Sequence, residues 1–159
     1  MCSANQCRSP MAEVIFRALL ERRGYPEDWK VASAGTWALP GRSATHEARE
    51  AVRSMGLSLE DHRGTEITRE LLEQHDLVLV MENGQREALR LEFGNAADRV
   101  HLLSTMVSEE HDIPDPSGKG LDACREVAGE LEQVLTSGFE TIVALARNPQ
   151  TSADGGRAS

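Results

Sequence analysis

Close to the start of the chain, Met11, Val14, Ile15, Ala18 and Leu19 recur at the spacing of one helix face. Ser9 suits the N-cap of that helix, Pro10 its first turn and Gly24 its close. Trp29 to Ala34 reads as a short strand running into Gly35. Ala48, Ala51, Val52 and Met55 predict a helix from about Thr45 to Met55, stopped by Gly56, and Thr68 opens a short helix through Leu71 and Leu72. Asp76 to Met81 is nearly all apolar, the pattern of a strand buried on both faces. A helix over Asn83 to Phe93 and a strand around Arg99 to Leu103 follow.

Residues 104–120 are rich in Pro, Gly, Ser and Asp and read as a loop. One long helix is expected from Leu121 to Ala146, with Val127, Leu131, Val134, Leu135, Ile142 and Leu145 on its apolar stripe. Alternating helices and buried strands predict an α/β fold, an open parallel sheet in three layers with helices on both faces. The expectation is one domain over residues 1–147 and a disordered tail over 148–159, where Gly, Ser, Thr and Ala dominate.

Charge narrows the partners. A formal net charge of −9 disfavours a general nucleic-acid or anionic-membrane surface, so any anion site has to be local. No apolar stretch approaches the length of a membrane span. Three cysteines do not make a secreted disulfide framework, and the expected location is cytoplasmic. The cysteines lack a Cys-x-x-Cys pairing and the histidines form no ligand cluster, so neither a metal nor another cofactor is expected.

The candidate chemistry lies in Cys2-Ser3-Ala4-Asn5-Gln6-Cys7-Arg8-Ser9-Pro10, directly before the first helix. A short loop entering a helix aims successive N–H groups into one concavity, and the helix dipole adds positive potential. Arg8 supplies a planar fork matched to phosphate oxygens. Cys2 is the candidate nucleophile, since thiolate sulfur attacks phosphorus. Such a loop hangs from the C-terminal end of a strand, yet only Met1 precedes Cys2. Asp115, between Pro114 and Pro116, sits on a stiff loop and is the candidate general acid, with Asp112 as its competitor.

With these residues in view, the chain resembles the low-molecular-weight protein tyrosine phosphatases. Cys2-x5-Arg8-Ser9-Pro10-Met11-Ala12-Glu13, Ser33-Ala34-Gly35-Thr36, Asp61-His62-Arg63, Asp76-Leu77-Val78-Leu79-Val80-Met81 and Asp115-Pro116 follow the family's order across residues 1–147. The resemblance implies a phosphotyrosine phosphatase with a phosphocysteine intermediate: Cys2 as nucleophile, Arg8 as phosphate clamp and Asp115 as general acid and base. It implies that the amides of Ser3, Ala4, Asn5, Gln6, Cys7 and Arg8 bind phosphate and that Ser9 hydrogen-bonds the sulfur. Asn5, Ser33 and His62 resemble the family's supporting network, and Asn tolerates the left-handed backbone such a loop requires. Cys7 matches a second loop thiol able to form a reversible disulfide with Cys2; the alternative is a merely buried thiol. Cys124, in the last helix pattern, reads as a core residue. The implied partner is a phosphorylated protein, with a tyrosine kinase as its counterpart.

The chain departs from the family at four places. The usual first strand is reduced to Met1, leaving three strands and removing aliphatic burial of about 1.5–3 kcal/mol per side chain; a start assigned too late accounts for this better than a natural three-stranded enzyme. Ala4 replaces the usual glycine. Ser117-Gly118 follow Asp115-Pro116 where aromatic residues often line the pocket, leaving Trp37 or Leu39 as the opposite wall. Gln6 matches neither the aliphatic residue of tyrosine phosphatases nor the threonine of protein-arginine phosphatases. The alternatives are therefore a protein-arginine phosphatase, then an arsenate reductase, then a dead phosphate-binding homologue. Met81 to Leu91 holds no resolving cysteine, against the second, and intact Cys2, Arg8 and Asp115 speak against the third.

Overall fold

The computed structural model describes residues 1–148; the predicted tail, apart from Asn148, lies outside them. The elements are α1 (Arg8–Arg22), α2 (His46–Arg53), α3 (Arg69–Glu73), β1 (Val78–Val80), α4 (Asn83–Phe93), β2 (Val100–Leu102), α5 (Leu121–Ser137) and α6 (Phe139–Arg147). Short 3-10 turns cover Gly94–Ala97 and Leu103–Val107. β1 and β2 pair in parallel, Val78 with Val100 and Val80 with Leu102.

The strand period of two divides the core between two faces. Val78 and Val80 pack with Val100, Leu102, Leu72 of α3 and Leu89 of α4. Leu77, Leu79 and Met81 turn to the opposite face, where Met11 and Ile15 of α1 meet Val52 of α2, Leu131 of α5 and Phe139 of α6. Helices thus cover both faces, as the α/β pattern predicts.

The regular sheet is smaller than the three strands expected. Residues 29–34 form no strand; residues 30–33 border a cavity of about 820 Å³ instead of a neighbouring ladder. What pairing exists there is a pair of isolated parallel bridges, Cys2 with Gly35 and Gly35 with Glu66. Met1 and Cys2 nevertheless take a strand's place. The Met1 amino group donates to Leu79 O, Met81 N donates to Met1 O (3.1 Å), and Cys2 N donates to Ala34 O (3.3 Å). Cys2 is thereby delivered to the C-terminal end of β1.

Two element boundaries differ from expectation. The single last helix is two, broken at Gly138, where an added Cβ would stand 2.8 Å from that of Met106 and 2.9 Å from Val134 O. The first helix begins at Arg8 with Cys7, rather than Ser9, as its cap, since Cys7 O already accepts from Met11 N (3.1 Å). Ser9 is left inside the first turn with its hydroxyl free for other partners.

Candidate active site

The loop from Cys2 to Arg8 is shaped by what binds its carbonyls. Thr36 N donates to Cys2 O (3.1 Å), Trp37 N to Ser3 O (2.9 Å) and Thr45 N to Gln6 O (2.9 Å). His62 Nε2 lies 2.7 Å from Asn5 O, and since a carbonyl only accepts, that ring nitrogen carries the hydrogen. Across a trans peptide, C=O and N–H point in opposite directions. Binding these carbonyls from outside, with Cys7 O used by α1, aims the N–H groups of Ser3, Ala4, Gln6, Cys7 and Arg8 away from those partners. Among the described residues none of these N–H groups has an acceptor. Such a run of N–H groups at a helix N-terminus can cradle an anion.

Asn5 is the hub. It takes the left-handed conformation (φ 54°) that the sequence suggested. Its Nδ2 donates to Ser9 Oγ and Ser33 Oγ, both 2.9 Å, and its Oδ1 accepts from Thr65 N (2.9 Å). Ser33 Oγ in turn donates to Glu13 Oε2 (2.6 Å). Gly35 lies so close beneath that an added Cβ would overlap Ser3 O and stand 3.0 Å from Asn5 N. Only glycine fits there.

Cys2 is buried, with Sγ 2.9 Å from Ser9 Oγ. Arg8, 3% exposed, places Nη1 on Ile113 O (2.8 Å) and on Glu82 Oε1 (2.5 Å), while Nη2 is 3.4 Å from Asp115 Oδ2. The guanidinium thus bridges the cysteine loop to the Asp115 loop. Burial opposes ionisation of Asp115, but the hydroxyl (2.7 Å) and amide (3.1 Å) of Ser117, with the charges of Arg8 and Lys119, outweigh it. Its carboxyl is held below the usual value. The competitor Asp112 is occupied elsewhere, accepting from Asn83 N (2.7 Å) at the start of α4.

Trp37 and Leu39 stand on the segment that Trp37 N anchors to the loop, 83% and 61% exposed. Gln6 folds its amide onto Ser43 O (3.2 Å). Cys7 faces the core, its Sγ 3.2 Å from that of Cys124.

Several contributors were not singled out from the sequence. Glu82 and Gln85 form a reciprocal cap at the start of α4. That same pair reaches the site, Glu82 through Arg8 and Gln85 through Ser3 Oγ (3.1 Å). Glu-x-x-Gln directly after an apolar run was the available signal. Glu13 closes the quoted motif after Arg8 but was given no role, and Thr65 left no signal, because only folding brings them to Ser33 and Asn5.

Fold and site together define a class, parallel α/β proteins with a cysteine–arginine loop at a helix N-terminus. Within it the assignment is specific. The family model described as low molecular weight phosphotyrosine protein phosphatase matches residues 1–148, and the chain belongs to that family. A protein-arginine-phosphatase of Bacillus subtilis is 38% identical over 136 residues, 85% of this chain and 89% of its own. The low molecular weight protein tyrosine phosphatase structure from T. tengcongensis is similar at TM-score 0.83 and 35% identity, covering 88% of this chain and 95% of that one. The tyrosine phosphatase Wzb from Escherichia coli K30, in complex with sulphate, is similar at TM-score 0.79 and 33% identity, covering 89% and 94%.

Proposed function

We propose that the chain hydrolyses phosphotyrosine monoesters on proteins through a phosphocysteine intermediate. The observation that carries this reading is the run of N–H groups from Ser3 to Arg8, Asn5 excepted, without an acceptor among the described residues, in the loop that joins Cys2 to the buried Arg8. The amides and the Arg8 fork hold the phosphoryl oxygens, where negative charge accumulates as phosphorus is transferred. The Cys2 thiolate attacks phosphorus in line, and Asp115 gives its proton to the departing phenolic oxygen. Water, deprotonated by Asp115, then releases phosphate from Cys2. Ser9 Oγ donates to the sulfur as it leaves.

Asp115 has to hold a proton for the first step, although in the free site its carboxyl favours ionisation. A bound phosphoryl dianion reverses this, since it engages Arg8 and places negative charge beside the carboxylate. Trp37 and Leu39 form the wall for the substrate's ring, with Ser117 and Gly118 opposite. Asn5, Ser33 and His62 keep the cradle open. The substrate is a phosphorylated protein, its counterpart a cytoplasmic tyrosine kinase.

Phosphoarginine is the second reading, favoured by the 38% identity to a protein-arginine-phosphatase. The test is kcat/KM on paired peptides carrying phosphotyrosine or phosphoarginine, with acid-quenched Asp115→Asn protein searched for phosphate on Cys2. Faster turnover of phosphotyrosine with label on Cys2 is the expected result. Preference for phosphoarginine moves the assignment to the second reading, and label elsewhere than Cys2 rejects the mechanism.

A further inference from the structure

One cavity lies outside this chemistry, and its walls are strand edges. Val78 N donates to Arg99 O (3.0 Å), so Val78 faces β2 and Leu79 faces the cavity of about 820 Å³. On that edge the Met1 amino group donates to Leu79 O, while Leu79 N has no acceptor among the described residues. Across the gap Ala34 O accepts from Cys2 N (3.3 Å), and the amides of Ala32 and Ala34 have no acceptor among the described residues. Met1 and Cys2 thus bridge two edges that stand two strand spacings apart there, about 9–10 Å. Beyond Met1 the slot continues along residues 29–33.

The pairing of Cys2 with Gly35 sets the register, so positions beyond Met1 fall opposite Ser33, Ala32 and onward. They alternate between the face of Cys2 and that of Met1. On the Cys2 face the lining is apolar, with Phe16, Leu135 and Ile142. Asp28, Asp76, Lys30 and Arg147 give the lining charges of both signs. The closed end is different. Burial lowers the Met1 amino group to about 6, and it has no carboxylate partner among the described residues. A carboxylate beside it would favour its charged form.

We propose that this slot binds a peptide with a free C-terminal carboxylate as a parallel β-strand between β1 and residues 29–34. The carboxylate meets the Met1 amino group, and every second side chain lies on Phe16, Leu135 and Ile142. Main-chain hydrogen bonds to both walls supply affinity, and the alternation of side chains supplies specificity. The bound strand braces Met1 and Cys2, and with them the start of the cysteine loop.

The test adds a synthetic peptide to the full chain: Lys-Lys-Val-Thr-Val-Thr-Val with a free carboxylate, the lysines remaining outside for solubility. One-to-one binding by titration calorimetry is expected, with slower amide exchange at Leu79 and Ala32 by NMR. At about 100 times the dissociation constant, Tm should rise roughly 5–10 °C. A peptide ending Thr-Val-Thr-Val-Thr turns its apolar residues to the other face and should lose that rise. N-methylation of the central valine should abolish binding, since each backbone N–H meets one wall or the other. Amidation of the C-terminus should weaken it about tenfold or more. No binding, binding untouched by N-methylation or amidation, or a dimer of the chain that excludes the peptide overturns the proposal. These readouts need no turnover, so their failure is distinct from failure of the phosphatase reading.

Discussion

Asn5 joins more of the candidate site than any side chain proposed for the chemistry. Its left-handed backbone turns the loop, and its side-chain amide joins Ser9, Ser33 and the Thr65 backbone. Asn5→Ala strips three hydrogen bonds, one buried and two partly buried. Ser9 Oγ keeps Cys2 and Ser33 Oγ keeps Glu13, while Thr65 N is left without its acceptor, at about 1–3 kcal/mol for the stranded group. A lower urea midpoint together with weaker phosphate binding is expected; unchanged phosphate affinity would show that the loop holds its shape without it. Asp115 gives a prediction of opposite sign for binding and turnover. Its ionised carboxylate opposes a phosphate dianion, so Asp115→Asn should bind inorganic phosphate more tightly at neutral pH while turnover falls roughly 10²–10⁴-fold. Because its folded value lies below the ordinary one, the stability it contributes is present at neutral pH and lost as pH falls through that folded value. Urea midpoints near pH 6 and about pH 3 should therefore differ less in Asp115→Asn than in the parent. Cys2, Arg8, Asn5 and Asp115 were legible in the sequence because each needs a particular residue type at a fixed spacing. The roles of Glu13 and Thr65 were not, since they depend on partners at 20 and 60 residues' separation.

The helices were readable where caps and periodicity agreed. Thr68 caps α3 through Leu71 N (3.1 Å), and α4 has the bounds its pattern implied. The expected continuous helix ends at Gly138, a position packed so close to Met106 that an added Cβ would collide with it, a tertiary fact that no local pattern announces. Gly138→Ala should cost about 1–3 kcal/mol through that collision, with a circular-dichroism melt as the check. A neutral result would mean that Met106 yields. The strand expected over Trp29 to Ala34 failed for a related reason. Strand formation needs a neighbour, and residues 30–33 face a cavity lined by Phe16, Leu77, Leu79 and Ile142. The pairing that positions Cys2 survives in single bridges and hydrogen bonds around Gly35, below the length that registers as a strand.

At the scale of the whole molecule the site is a junction. Met1 and Cys2 lie between β1 and the Ala34–Gly35 segment, α1 carries Arg8, and the Asp115 loop closes over it by way of Ile113. Ligand binding should therefore stabilise the entire fold. Phosphate at about 100 times its dissociation constant adds about 2.7 kcal/mol, a rise in Tm of roughly 5–10 °C for a domain of this size. Arg8→Ala should abolish that rise, and its persistence would place the anion elsewhere. The net charge of −9 makes the cradle a local exception to the protein's own field, which weakens phosphate binding most at low ionic strength. The most direct test of thiolate chemistry is hydrolysis of p-nitrophenyl phosphate in the presence of a chelator, by the parent chain, Cys2→Ser and Asp115→Asn. Turnover should be present in the parent, absent in Cys2→Ser and sharply reduced in Asp115→Asn. Turnover that survives Cys2→Ser, or none from a folded parent, would contradict the assignment of Cys2 as the nucleophile.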